Sequence, residues 1–186
     1  MLSSIQLTDE ELLLRPFRLD DASDLHCAVR ESLNELKPWM SWAIDGYSER
    51  TAREYITIAR ARWEEHTYYA LAITRRDEFL GACTLSSIHP LYRFCNLGYW
   101  VRTSCHGQGI AGRAAKLTAR FAMEHFGLIR VEIVIAVGNQ ASIRVAERIS
   151  AHDEGILLNR IVVGKSIYDA HMYSLIPSDF GLAARL

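Results

Sequence analysis

Apolar residues recur along this chain with two periods, and the switches between them mark out strands and helices. Glu11 to Leu19 alternates and predicts a first strand. Asp20-Asp21 then stands where a helix N-cap belongs, ahead of Leu25, Ala28, Val29 and Leu33 on one helical side. Lys37-Pro38-Trp39-Met40 ends that element, and Ser48 is positioned to cap a second long helix. In it Tyr55, Ile58, Ala59, Arg62 and Trp63 fall at helical spacing. Tyr69 to Thr74 and Phe79 to Ser86 are β-rich runs joined by Arg75-Arg76-Asp77-Glu78, the pattern of a hairpin. Cys95 to Val101 predicts the next strand.

A helix over Gly109 to Phe126 follows, with Ile110, Ala114, Leu117, Phe121 and Ala122 as its buried stripe and Gly127 just past its end. Val131 to Val137 is nearly unbroken in apolar residues, as in a strand covered on both faces. Asn139 opens a helix through Ile149, and Gly155 to Val163 with Ile167 to Ile176 reads as a closing hairpin. The order β-α-α-β-β-β-α-β-α-β-β is a mixed α/β arrangement without the regular alternation of a Rossmann fold. No repeat or Pro/Gly-rich linker divides the 186 residues, so they are expected to form a single domain over 1–186, with a core at about 11–177.

The most informative chemistry lies between Gly98 and Gly112, where a short apolar strand runs into a glycine-rich turn and then a long helix. Glycines permit close backbone approach, and a first helical turn leaves N–H groups without intrahelical partners. With the positive end of the helix dipole, those donors suit a phosphate group and hence a nucleotide-containing cofactor. Composition adds boundaries. Apolar content of 49% with 23% charged residues is ordinary globular usage, and the net charge of −1 supplies no electrostatic case for nucleic acid. Met1 to Gln6 lacks the pattern of a signal peptide, and no stretch approaches the ~20 apolar residues of a membrane span. Cys27, Cys83, Cys95 and Cys105 have no metal-ligand spacing and read as idle thiols of a reducing cytosol, so a cytoplasmic location and no metal are expected.

Five segments, in this order, carry a family resemblance: Leu97-Gly98-Tyr99-Trp100-Val101, His106-Gly107-Gln108-Gly109-Ile110-Ala111, Asn139-Gln140-Ala141-Ser142, Glu154-Gly155-Ile156-Leu157 and Met172-Tyr173-Ser174-Leu175. From Leu12-Leu13-Leu14-Arg15-Pro16 to Leu175 the chain resembles the GNAT acyltransferase superfamily, and within it the ribosomal-protein N-terminal alanine/serine acetyltransferases. The resemblance implies an α/β (α+β) fold, a mostly antiparallel sheet flanked by helices with a splayed central strand pair. It implies acetyl-CoA as donor, its pantetheine arm on the main chain of Tyr99, Trp100 and Val101. The pyrophosphate would lie on the turn His106, Gly107, Gln108, Gly109, Ile110, Ala111 and Gly112, with Arg113, Arg144 and Arg148 in reach of phosphates. Asn139 would lie near the pantetheine and Ser142 near the sulfur, donating to or protonating the departing thiolate. Asn139 is equally suited to capping the helix it opens, and Ser142 sits in the first turn, where it costs little.

Some positions depart from the family. His106 replaces the usual Gln or Arg at the head of the glycine motif, and Ser150-Ala151 replaces a helix-end Gly-Phe, which suggests a locally different turn. Ala146 stands where many relatives carry a tyrosine. Asn96 stands where related N-terminal acetyltransferases often have a glutamate, and an amide has no usable basicity. An α-amino group, at pKa ~7.7–8.0, needs little help to lose its proton, whereas lysine at ~10.4 needs about three units. His89 is the leading replacement base and Glu35, beside Pro38-Trp39, the second. Trp39, Trp42, Tyr47, Tyr92 and Phe94 are placed to wall an acceptor groove or to pack. The expected activity is direct acetyl transfer, in a ternary complex, to a protein or peptide N-terminal amine. Small-molecule amine acetylation and non-catalytic CoA sensing are the alternatives. The expected state is monomer or homodimer, without nucleic acid or membrane.

Overall fold

The computed structural model describes residues 5–184, which leaves Met1–Ser4 of the N-terminal stretch outside it. The first strand is shorter than its alternation suggested. It comprises β2 (Leu13–Pro16), preceded by a two-residue β1 (Leu7–Thr8) that pairs with it. Asp21 does not cap the next helix with its side chain. Its carboxylate accepts from the Arg18 backbone N–H at 2.7 Å and binds the Arg15 guanidinium at 2.8 and 2.7 Å.

Helix α1 (Ala22–Glu31) turns its buried Leu25, Ala28 and Val29 inward and stops before Leu33, which opens the short α2 (Leu33–Leu36). Ser48 caps α3 (Glu49–Glu64) as expected, accepting from the Thr51 N–H at 3.2 Å. The buried stripe of α3 is Ala52, Ile56, Ala59 and Trp63, whereas Ile58 points to solvent. A residue two positions from Ile56 lies ~200° around a helix, so it cannot share that face.

The hairpin β3 (Tyr69–Arg75) and β4 (Glu78–His89) is followed by β5 (Phe94–Val101), α4 (Ile110–Phe126) and β6 (Arg130–Ala136). Gly127 holds the left-handed position after α4, at φ 65°. Strand β6 buries Val131, Ile133 and Ile135 on one side but leaves Glu132 and Val134 half-buried, so only one face is fully covered. Helix α5 (Gln140–Arg148) and the hairpin β7 (His152–Val163) and β8 (Ser166–Leu175) complete the chain.

The eight strands lie in the order β1-β2-β3-β4-β5-β6-β8-β7, antiparallel except for β5 beside β6. Helices α1 and α3 cover one face through a core of Phe17, Leu25, Ile56, Phe79 and Ala82. A larger core under α4 and α5 covers the other face and includes Leu71, Leu97, Ile110, Ile133 and Leu175. The parallel pair is joined only at Phe94–Arg130, Cys95–Val131 and Asn96–Glu132. Beyond Asn96 both strands continue without pairing to each other, so the sheet opens at its centre, the splay that the resemblance implied. Ile110, 2% exposed, is the first residue of α4 and fixes that helix's N-terminus beside the opening. Burying such a side chain contributes roughly 1.5–3 kcal/mol.

Candidate active site

A cavity of about 730 Å³ lies along the β5 side of the opening. Its walls are the α2 end (Glu35, Leu36, Trp39), the β5 run Tyr99–Val101, the turn around His106 to Gly109, and the start of α5 (Asn139, Ser142). Every second N–H and C=O of an unpaired strand edge faces away from its one partner strand. The Tyr99–Val101 stretch therefore presents main-chain groups to the cavity, as a pantetheine arm would require.

At the other end Gly107 and Gly109 adopt φ 76° and 73°, a left-handed conformation that side chains disfavour. A Cβ on Gly109 would meet no protein atom within 4 Å and would project into open space. The first N–H of α4 with an intrahelical partner is that of Arg113, which donates to the Gly109 carbonyl at 3.1 Å. Among the described residues, the N–H groups of Gln108, Gly109, Ile110, Ala111 and Gly112 have no protein acceptor. Gly112 has a second role: a Cβ there would stand 3.1 Å from Ile149 Cγ2, so its absence lets α5 close onto α4.

Arg113 lines the cavity, yet its guanidinium is committed elsewhere. Nε and Nη2 grip Asp9 at 2.7 and 2.5 Å, with Glu11 at 3.6 Å, and this pairing lowers the Asp9 carboxyl below its ordinary range. The cations left without a carboxylate partner among the described cavity-lining residues are Lys116, Arg144 and Arg148. Lys116 did not stand out in the sequence, although its place two turns into α4 puts it near the helix start. Gln108 does not line the cavity, and its side chain accepts from Arg75 at 3.1 Å. His106 is exposed at the cavity, and its Nε2 donates to the Val101 carbonyl at 2.9 Å. That bond stabilises the turn and commits Nε2 to the protein.

Asn139 caps α5 by accepting from the Ser142 N–H at 3.2 Å. The Ser142 hydroxyl meets the phenol of Tyr99 at 3.1 Å, and that phenol also donates to the Ser142 carbonyl at 3.2 Å. Burial pushes the Tyr99 phenol up to about 12, with the Ser142 bond working in the opposite direction. Sequence reasoning assigned Tyr99 only its main chain. Strand alternation offered a signal for more, because Leu97, Tyr99 and Val101 share the face beneath α4 and α5.

The two candidate bases separate. Glu35 is exposed and lines the cavity. His89 does not: its Nδ1 accepts the Tyr92 N–H at 3.1 Å, and its ring stacks between Tyr92 and Phe94. Tyr92 and Phe94 thus gather around His89, while Trp39 walls the cavity and meets Tyr168 of β8 at 6.1 Å. Trp42 packs on Trp100 and Tyr47. Asn96 stands at the last joined position of β5 and β6, and its buried Oδ1 has no partner.

The turn that feeds α4 is tethered from the opposite layer. Glu31 accepts from Arg102 Nε at 2.9 Å, from Arg102 Nη2, and from the Ser104 N–H at 2.7 Å, while Ser32 Oγ accepts from the Thr103 N–H at 3.0 Å. Arg102 and Ser104 hold the Glu31 carboxyl down at about 2. Among the described residues no group of three His, Cys, Asp or Glu is placed to bind a metal, and no helix is long and apolar enough to cross a membrane.

Known proteins resemble this chain in sequence and fold. The chain is similar, at 27% identity over 92% of its length and 94% of the relative, to the Bacillus subtilis (strain 168) protein named "Putative ribosomal N-acetyltransferase YdaF". It is 30% identical over 56% of its length, and 58% of the relative, to the ribosomal-protein-serine acetyltransferase of Escherichia coli (strain K12). A solved RimL ribosomal L7/L12 α-N-protein acetyltransferase in complex with coenzyme A superposes with a TM-score of 0.83 at 24% identity, covering 92% of this chain and 98% of that one. Residues 11–152 match the model of the acetyltransferase (GNAT) domain. With that match over most of its length, and the splayed sheet and glycine turn in place, this chain belongs to the GNAT acetyltransferase family.

Proposed function

We propose that this acetyl-CoA-dependent N-acetyltransferase acts on the N-terminal amine of a protein or peptide, by direct attack within a ternary complex. One observation carries the donor half. The unpartnered amides of Ile110, Ala111 and Gly112 open onto a cavity edged by the free cations Lys116, Arg144 and Arg148. A diphosphate fits that combination of helix-start donors and positive charge. The β5 edge holds the arm, and a backbone N–H of Tyr99 or Trp100 polarises the thioester carbonyl. Ser142 lies where the sulfur departs.

The acceptor half rests on the α2 side of the cavity. Glu35 there takes the ammonium proton directly or through water, a task the α-amino group keeps light at its pKa of ~7.7–8.0. His89 is the less favoured base, since its Nδ1 already accepts a backbone N–H. Trp39 and Trp100 flank the path and suit a peptide chain better than a small hydrated cation. The names of the relatives, a ribosomal N-acetyltransferase and a ribosomal-protein-serine acetyltransferase, support a protein acceptor.

The test is CoA release from acetyl-CoA against peptides with N-terminal serine or alanine, polyamines and amino-acid amides. Steady release on the peptides alone supports the proposal. Release on polyamines alone replaces the acceptor class, and CoA binding without turnover on any amine makes the protein a sensor.

A further inference from the structure

Two hydroxyls, Tyr99 Oη and Ser142 Oγ, form a closed pair on the wall of the cavity. Ser142 Oγ–H donates to Tyr99 Oη at 3.1 Å, and Tyr99 O–H donates to the Ser142 carbonyl at 3.2 Å. The phenol therefore has two acceptors within reach on one residue, Ser142 Oγ and the Ser142 carbonyl oxygen. Hydroxyl protons rotate freely, so both hydrogens can be redirected without moving a heavy atom. When Ser142 turns its proton toward the cavity, Tyr99 can turn its own onto Ser142 Oγ. The chain then runs Tyr99 O–H to Ser142 Oγ–H to the ligand atom, and each bond polarises the next.

We propose that Tyr99 is the positioning residue for Ser142, and that the two hydroxyls stabilise the departing sulfur as a thiolate instead of protonating it. The inference rests on the proposed function, which places the sulfur at Ser142. Acidities support donation without transfer. A thiol ionises near ~8.5, and a phenol held by burial at about 12 gives up its proton far less readily, so transfer to the thiolate runs uphill. In the step itself the amine nitrogen bonds to the acyl carbon while the C–S bond breaks, its electron pair remaining on sulfur. The amine's protons leave by way of Glu35 and solvent, and the thiolate takes a proton from water after release. No proton crosses the cavity.

The experiment needs no acceptor. The thiol of CoA bound to the intact protein is titrated by thiolate ultraviolet absorbance, with the desulfo-CoA complex as blank, in the parent, Tyr99→Phe, Ser142→Ala and the double variant. Calorimetry at a pH where the thiol is neutral gives CoA affinity alongside. The expected result is a bound-thiol pKa raised by about one unit in Tyr99→Phe, a tenfold effect, and by at least as much in Ser142→Ala. The double variant should go no further than Ser142→Ala, because Tyr99 acts through it. Affinity for the neutral thiol form should stay within about two-fold. An unchanged thiol pKa in Tyr99→Phe overturns the inference, as does an additive double variant. Should Tyr99→Phe not fold, an unchanged value in Ser142→Ala overturns it equally. A parent protein that binds no CoA refutes the proposed function itself, which is a separate outcome.

Discussion

Single residues of the cavity carry separable tasks, and each predicts a different loss. Gly109 combines φ 73° with open space where its Cβ would be. Gly109→Val therefore strains the turn and places a branched side chain over the donors of α4, and calorimetry should show CoA affinity falling at least tenfold. Arg113→Ala should leave CoA affinity within about three-fold, because that guanidinium belongs to Asp9, whereas Lys116→Ala with Arg148→Ala should weaken binding and flatten its salt dependence. The backbone of this site follows from sequence because glycine turns and helix starts are local features. Side-chain assignments fared less evenly. Arg113, His106 and Gln108 stand at the right place in the chain, yet their side chains are claimed by Asp9, Val101 and Arg75, partners distant or unpredictable in sequence. The Tyr99–Ser142 pair spans 43 residues and two elements, which no local pattern announces.

Secondary-structure elements show the same division between local and long-range causes. Ser48 and Asn139 cap their helices as their residue types foretold, since a cap bond spans three residues. Asp21 fails as a side-chain cap because the Arg15 guanidinium claims its carboxylate. At the end of α5, the locally different turn that Ser150-Ala151 suggested is not formed, because Ser150 adopts the left-handed conformation itself. It takes φ 60°, its N–H donates to the Glu147 carbonyl at 2.9 Å, and the Ala151 N–H reaches the Ala146 carbonyl at 3.0 Å. Those two bonds form the left-handed helix stop that glycine usually supplies. Ser150→Gly should accordingly stabilise the protein by about 1 kcal/mol in denaturant unfolding, with no change in CoA affinity. A destabilised variant would show that the turn is held by something other than backbone preference.

Across the whole molecule, the two layers meet at the cavity, and charge fastens both the layers and the strands of the sheet. Glu31 ties α1 to the turn before α4, while within the sheet Glu154 of β7 binds Arg130 of β6 at 2.6 and 2.5 Å and accepts from Ser174 of β8 at 2.6 Å. Both carboxyls are held down at about 2 by their arginine partners, against an ordinary 4.5. The folded state thus binds fewer protons than the unfolded chain between those values. Their stabilisation is complete above about pH 4.5 and disappears as the pH falls toward 2. Unfolding midpoints measured over that interval should decline with acid, and Glu31→Gln should flatten the decline. The mixed sheet order was within reach of sequence because strand and helix succession constrains it. The point at which β5 and β6 part was not, because it depends on register between strands more than thirty residues apart. That parting frees the β5 edge that lines the cavity, so the most direct measurement is a crystal structure with CoA bound. The diphosphate oxygens should lie about 2.7–3.2 Å from the amide nitrogens of Ile110, Ala111 and Gly112, with the arm between β5 and β6. A cofactor bound elsewhere, with those amides bonded to protein, would contradict the account.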